Sequence, residues 1–424
     1  MVNNPIDDNP ALNHSANETF PDADAYDPAV HAMRVSSPSA HIDMSLTAVI
    51  AAMVLGTTAL ITISVLPILL AALVSAGKID TRAIGQIATG EMLGLATGSA
   101  FGAGLLRRGS FRLKILAAAA FLIAINIICW SIDAEIPLLL ARTASGLLEG
   151  VLLAASMMVI TYTKNPEKMN SYFMSASVVP MILCSYALPA EVTARGPDYA
   201  FTLLACFGVV SILAGLRLPV SFPVQTQDHR GDPAVLAPPW AKLGIFAVLV
   251  QFTATGAALT YAVQLAKEMS ISDATVGVAL AGLTISGMVS AFIVGWVGWK
   301  LKESVVLPLG ALCQAITVAI MCYSHAPALY VTEMCLFGAL WNGLITYALK
   351  MLIGLDPSRR LALLLQPVSM LGLAVGPLLA SLVVGENDVT PAFASSAALY
   401  SFGGGLFLIV FGKIRSKDRR MVAT

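Results

Sequence analysis

Between residues 45 and 412 the chain is built from long apolar runs separated by short polar segments. A helix needs about 20 apolar residues to cross roughly 30 Å of hydrocarbon. Six runs reach that scale in the first half: Ser45 to Ser75, Ala83 to Leu106, Leu113 to Ser131, Pro137 to Tyr162, Met169 to Leu188 and Tyr199 to Leu216. A polar linker with Pro219, Pro223, Pro233, Pro238 and Pro239 follows. Six more run Leu243 to Gln264, Ala274 to Trp299, Ser304 to Tyr323, Ala328 to Leu355, Leu361 to Val384 and Ala392 to Gly412. The pattern predicts an all-α integral membrane protein of 12 transmembrane helices in two six-helix halves. The expected organisation is a tail over 1–44, a first half over 45–217, a linker over 218–242, a second half over 243–412 and a basic tail over 413–424.

Composition agrees with a bilayer as solvent. The chain is 57% hydrophobic and 12% charged, with a mean hydropathy of +0.79, too few charges to cover a water-soluble globule of 424 residues. Net charge is zero, so no basic excess points to nucleic acid. The six cysteines fall in apolar runs with no C-x-x-C spacing and read as small core residues, and no metal or cofactor is expected. All five histidines lie outside the predicted spans. An intramembrane proton carrier would therefore have to be a carboxyl group.

The distribution of basic residues gives an orientation, because cytoplasmic loops carry the excess of Lys and Arg. With the amino terminus inside, nineteen basic residues fall on inner segments and four, Lys78, Arg82, Arg195 and Lys267, on outer loops; the other two, Arg142 and Lys350, lie within spans. The outer loops are acidic instead, with Asp133, Glu135, Glu191, Asp198, Glu386 and Asp388. Both termini are thus expected in the cytoplasm of a cell (inner or plasma) membrane. Residues 1–44 carry seven acids against Arg34 and lack a basic, then apolar, leader pattern, so they read as a disordered cytoplasmic tail. On that side of the membrane the sequon Asn17-Glu18-Thr19 has no glycosylation role.

The halves echo one another. Leu147-Leu148-Glu149-Gly150 in the fourth run has an apparent counterpart in Leu340-Trp341-Asn342-Gly343 of the tenth. Internal repeats of this kind are expected of transporters whose substrate site lies near the midplane between them. After the second run, Gly102-Ala103-Gly104-Leu105-Leu106-Arg107-Arg108-Gly109 is similar to the G-x-x-x-D-[RK]-x-G signature of the major facilitator superfamily, matching at Gly102, Arg107 and Gly109. Leu106 stands where that family usually has aspartate. The fourth run, Leu139-x-x-Arg142-x-x-x-Gly146-x-x-x-Gly150, resembles a second motif of the family. The resemblance covers residues 45 to about 412 and implies alternating access, a gating role for the Gly102–Gly109 loop, and a cavity lined by the first, fourth, seventh and tenth helices. It is less close to the drug–proton antiporters, whose fifth helix carries G-x-x-x-G-P. Here the fifth run has no glycine, and Gly372-x-x-x-Gly376-Pro377 occurs in the eleventh.

Charged residues within spans are costly, about 2.5–3.5 kcal/mol at a helix centre on insertion scales, and mark functional positions. Glu149 lies near the middle of the fourth run, on one helix face with Arg142, Gly146 and Gly150, and the glycines admit a close neighbour. Burial and a neighbouring cation act in opposite senses on a carboxyl's hold on its proton. Glu149 is therefore the candidate proton-coupling group, tuned by Arg142. Arg142 itself lies ~8 Å below the outer surface, within snorkelling range. Glu91 and Glu333 are its candidate partners; Glu333 and Lys350 otherwise read as residues reaching the interfaces.

Implied cavity contacts are Gln251, Thr255, Tyr261 and Gln264 on the seventh run and Trp341 and Asn342 on the tenth, an amide in mid-span needing hydrogen-bond partners and an aromatic walling a pocket. There is no phosphate-binding G-x-x-x-x-G-K-[ST] loop, no H-E-x-x-H and no G-x-S-x-G, so ATP hydrolysis and intramembrane enzymology are not indicated. The expected function is secondary active transport of a small organic solute, coupled to protons, with uptake and export both open. The alternatives are an uncoupled facilitator and a transporter-like sensor without turnover.

Overall fold

The computed structural model describes residues 45–107, 109–163, 166–221, 239–297, 300–355, 361, 364–386 and 388–422. The predicted tail over 1–44, most of the 218–242 linker and Arg108 lie outside the described residues. Twelve long helices account for the twelve apolar runs. They are α1 Leu46–Ser75, α2 Thr81–Leu106, α3 Phe111–Ile128, α4 Glu135–Thr161, α5 Pro166–Arg195 and α6 Asp198–Gly215 in the first half. The second half holds α7 Pro239–Glu268, α8 Asp273–Val297, α9 Glu303–Met321, α10 Pro327–Leu355, α11 Leu365–Ser381 and α12 Thr390–Val422. No strand occurs among the described residues.

Helix ends are set locally. Ser45 and Ser110 cap α1 and α3 by accepting from the backbone N–H of Ala48 at 3.2 Å and Leu113 at 3.3 Å. Gly77 and Gly109 leave α1 and the α2–α3 turn at φ of 68° and 74°, a conformation that favours glycine. Ten helices are long and apolar enough to span a membrane by themselves. Of the other two, α11 has 17 residues, and α2 is diluted by Gly85, Gly90, Gly94, Gly98, Gly102 and Gly104. All of those glycines but Gly104 pack α2 against other helices. At the carboxyl end, α12 continues to Val422, where a separate tail from 413 was expected. The extra turns continue the helix past the apolar run.

The packing repeats after six helices. In the first half α2 lies along α4, α1 touches α5 and α6, and α3 packs on α6; in the second, α8 lies along α10, α7 touches α11 and α12, and α9 packs on α12. Glycine contacts fix the register. A Cβ on Gly146 would strike the carbonyl of Glu91, and one on Gly338 the carbonyl of Leu283. Gly90 abuts Thr143 as Gly282 abuts Cys335, and Gly150 abuts Leu95 as Asn342 abuts Gly287. The constant spacing of these pairs makes Glu149 equivalent to Trp341 and Gly150 to Asn342. The alignment read from the sequence, Glu149 with Asn342, is therefore off by one residue: backbone contact, not side-chain likeness, sets the true register. The turns after α1 and α7 match Gly77 to Ser270, both at positive φ, which places Thr62 level with Thr255.

The halves meet at one end. There a single apolar core runs through both, joining Leu69 and Ile84 to Val276, Tyr330 and Phe393. Thr81 and Arg82 donate to the carbonyls of Glu386 (2.6 Å) and Val384 (3.2 Å), and Thr89 donates to that of Ala374 at 2.9 Å. Tyr261 Oη accepts from Gly85 N at 3.1 Å, and Lys267 Nζ donates to Ala71 O at 3.1 Å and Ser75 Oγ at 2.9 Å. At the opposite end the core divides. One cluster, around Leu55, Phe111 and Val159, belongs wholly to the first half; the other, around Val248, Leu352 and Phe407, belongs wholly to the second. No hydrogen bond between described residues of the two halves lies at that end.

Candidate functional site

The intramembrane charges sort into two groups on α4. Arg142 and Glu91 are fully buried and form a two-point ion pair: Arg142 Nε donates to Glu91 Oε2 at 3.0 Å, and Nη2 donates to Oε1. Arg142 Nη1 donates to Asn126 Oδ1 at 2.9 Å, Asn126 Nδ2 returns to the Leu122 carbonyl of α3 at 2.9 Å, and the guanidinium carbon stands 5.9 Å from the Phe201 ring centre. All three guanidinium nitrogens are thereby occupied. Arg142 does not snorkel; Glu91, on the apposed face of α2, makes burial the better solution. Glu333 pairs with no cation and instead accepts from Ser324 Oγ at 2.6 Å, while Lys350 bonds Glu303 at 2.9 Å near the other end of α10.

Glu149 lies two turns further along α4 and is 2% exposed. Its Oε1 accepts from Thr62 Oγ1 of α1 at 2.7 Å and, more weakly, from Ser145 Oγ at 3.5 Å. Its Oε2 is buried with no hydrogen-bond partner. Of its two candidate partners Arg142 takes Glu91, with Asn126 on its remaining nitrogen, and it makes no ion pair with Glu149. Gly146 and Gly150 hold this face of α4 against the backbone of α2, which fixes the heights of Glu91 and Glu149 relative to each other.

The equivalent level of the second half is uncharged. Trp341 lines a pocket with Gln251, Thr255, Gln314, Val248 and Phe407, drawn from α7, α9, α10 and α12. Gln251 Nε2 donates to Gln314 Oε1, and Thr255 Oγ1 lies 2.8 Å from Tyr400 Oη. Gln251 Oε1 and Trp341 Nε1 are buried without partners. Three expected cavity residues lie elsewhere. Tyr261 joins the halves through Gly85, and Asn342 turns to α8, its Nδ2 donating to Gly338 O at 3.3 Å beside Gly287. Gln264 is near Glu268 at 3.5 Å.

In the loop expected to gate, Gly102 packs against Val151 and Ala154 of α4, Arg107 is exposed, and Gly109 supplies the left-handed turn. Leu106 is fully buried in the core of the first half, so an ionised aspartate there would be out of place. The loop is tied to its own half: Phe111 N and Arg112 Nε donate to the carbonyls of Val220 (2.9 Å) and Leu218 (2.7 Å). Gly372 and Gly376 of α11 abut Phe252 and Thr253 of α7, a packing contact within the second half.

The model of the family described as Major Facilitator Superfamily matches residues 44–362. The chain belongs to the major facilitator superfamily. Members of this superfamily are transporters rather than enzymes, and this chain is a multi-pass membrane transporter of that kind. Its fold is similar to the crystal structure of the nucleoside transporter NupG (TM-score 0.69, 12% identity, 87% of this chain and 99% of that one) and, at a TM-score of 0.74, to a point mutant of that protein. It is also similar to a bacterial homologue of the human lysosomal transporter Spinster in an inward-facing, occupied conformation (TM-score 0.67, 12% identity, 85% of this chain and 96% of that one). No curated protein matches the sequence significantly.

Thr62, Asn126, Ser145 and Gln314 were not among the sequence candidates. Asn126 and Gln314 are amides in the middle of apolar runs, the same signal that drew attention to Asn342. Thr62 and Ser145 were missed because hydroxyls are common in membrane helices; α1–α4 packing brings Thr62 to Glu149, whereas the i, i+4 spacing on α4 already placed Ser145 beside it.

Proposed function

We propose that this superfamily member is a proton-coupled secondary transporter of a small organic solute, that Glu149 carries the proton, and that the pocket around Trp341, Gln251 and Thr255 contacts the solute. The observation that carries the reading is Glu149 Oε2, a carboxyl oxygen buried in mid-span with no hydrogen-bond partner among the described residues. A permanently ionised group would be strongly disfavoured there, and a permanently neutral structural acid would be expected to use its second oxygen. A carboxyl that binds a proton in one conformation and releases it in another has reason to be left half-satisfied.

Alternating access supplies the two conformations. The sealed end is held by side chains that donate to backbone carbonyls and by helix-to-helix apolar contact, with no ion pair between the halves among described residues. Such bonds can be exchanged for water at modest cost, ~0.5–1.5 kcal/mol each. With the basic segments on the cytoplasmic side, the divided end faces the cytoplasm and the sealed end faces out, the inward-facing form. Rocking the halves would open the seam through Tyr261 and Lys267 and close the ends of the two separate cores.

The test is solute accumulation, read by mass spectrometry in cells expressing the protein with and without a protonophore. A solute whose internal level changes with expression only while the proton gradient stands supports coupling. A solute that equilibrates equally in both conditions makes the protein a facilitator.

A further inference from the structure

We propose that a groove between α1 and α6 binds an anionic phospholipid, with the phosphate on Arg217 and an acyl chain along the apolar side chains that follow it. The site is separate from the transport pathway and does not depend on how that pathway is read. The groove holds about 300 Å³, the lower end of the usual range for small-molecule sites, ~300–1,000 Å³.

Thr47, Ile50 and Val54 line it from α1, and Val210, Leu213 and Arg217 line it from α6. Each set follows the spacing of a single helix face. The two helices run in opposite directions, so Thr47 and Arg217 lie at one end, and Val54 and Val210, seven residues along each helix, lie about 10 Å deeper. Ala51 and Ala214, buried and short, form the floor. Beyond the deep end Thr58 Oγ1 and Ser211 Oγ stand 2.7 Å apart and bring the helices together. The groove is therefore charged at the membrane surface, apolar within and closed at depth, which is the order of parts in a phospholipid. In the second half the matching ends of α7 and α12 are packed instead, with Trp240, Leu243, Phe407 and Val410 in one apolar core.

What flanks the groove is hydrocarbon rather than water. The exposed side chains beside it on α6 are Val209, Val210, Leu213 and Leu216, and on α1 they include Leu46 and Ile50. Such a groove takes up acyl chains, and charge then selects the headgroup. Arg217 is exposed, and its guanidinium makes no ion pair with a described residue. Arg112 Nε donates to the carbonyl of Leu218 at 2.7 Å, which brings a second guanidinium to the same helix end. The described segments around that end, 45–50, 105–107, 109–113 and 215–221, carry no acid. A guanidinium matches phosphate in shape and charge, and basic pockets between spanning helices hold anionic headgroups. The distribution of basic residues places this end in the cytoplasmic leaflet.

The experiment places the full-length protein in vesicles of phosphatidylcholine and phosphatidylglycerol in equal amounts. A trace of one lipid or the other carries a photoreactive group in its acyl chain, and the crosslinked peptides are identified by mass spectrometry. The proposal expects residues 47–54 and 210–217 to be labelled ~5-fold more by the phosphatidylglycerol probe, the worth of one basic side chain at the surface. Arg217→Gln should bring the two probes level there, and Arg217→Lys should keep most of the preference. Ala214→Leu, which raises the floor, should lower labelling by both probes; thermal melting of each variant establishes that it is folded. Equal labelling of these segments by the two probes in the wild type means bulk lipid only and overturns the proposal. A preference that survives Arg217→Gln overturns the role of Arg217. Labelling of other lipid-facing segments but not of these two shows that the groove holds no lipid.

Discussion

Glu149 and Trp341 occupy equivalent positions in the two halves, each three residues beyond a glycine, Gly146 or Gly338, whose Cα rests against a carbonyl of the neighbouring helix. Each carries a buried polar atom without a partner, Glu149 Oε2 in one half and Trp341 Nε1 in the other. The repeat has thus kept the geometry and divided the chemistry, an acid on one side and a neutral aromatic donor on the other. The account assigns the proton to the first and the solute to the second.

The Glu91–Arg142 pair is a structural element whose partners depend on each other. Glu91→Gln alone, or Arg142→Met alone, leaves an uncompensated charge or loses its counterpart in a dry site and should destabilise by about 3–5 kcal/mol. The double variant removes both charges and should recover most of that loss. Thermal unfolding of the purified protein in detergent checks this, and equal, additive losses in the double variant would show that the pair is not coupled.

Close approach of α2 and α4 predicts a sharp contrast between two glycines. Gly146→Ala puts a methyl group against the Glu91 carbonyl and should cost about 1–3 kcal/mol, with Glu91 and Glu149 displaced from their present heights. Gly104→Ala, on the facing helix α2 but with open space around it, should be neutral or slightly stabilising. Melting temperatures of the two variants, measured side by side, decide the point.

The seam between the halves predicts a shift in conformational balance. Tyr261→Phe removes the bond to Gly85 N, and Lys267→Met removes the cation from the carbonyl end of α1. Each should favour opening of the sealed end by about 2–10-fold, the worth of one such bond. Hydrogen exchange of backbone amides in residues 81–89 reads that opening directly; unchanged exchange in both variants would mean that apolar contact alone holds the seam.

Much of this architecture was legible from the chain. Apolar run length located all twelve helices, because the bilayer forces each span to satisfy its backbone internally and leaves little else to choose. Positions such as Glu149 and Arg142 stood out because charge in hydrocarbon is rare. Partner identity was legible only in part: Glu91 and Glu333 were both open as partners of Arg142, and α2 packing selects Glu91, while nothing in the chain tied Asn126 to Arg142. The repeat register failed for a related reason. Asn342 resembles Glu149 as a polar side chain before a glycine, yet the contact of Gly338 with Leu283 shows that Trp341 holds the equivalent place. Tyr261 looked like a cavity residue because it is polar and on α7, and only the meeting of α2 with α7 shows that it ties the halves together.

The most direct test of proton coupling through Glu149 is a comparison of wild type and Glu149→Gln in proteoliposomes, with the transported solute assayed both for counterflow and for uphill accumulation under a proton gradient. Gln keeps the shape and the bond from Thr62 but cannot exchange a proton, so counterflow should persist while accumulation disappears. Accumulation that survives the substitution would remove Glu149 from the coupling mechanism.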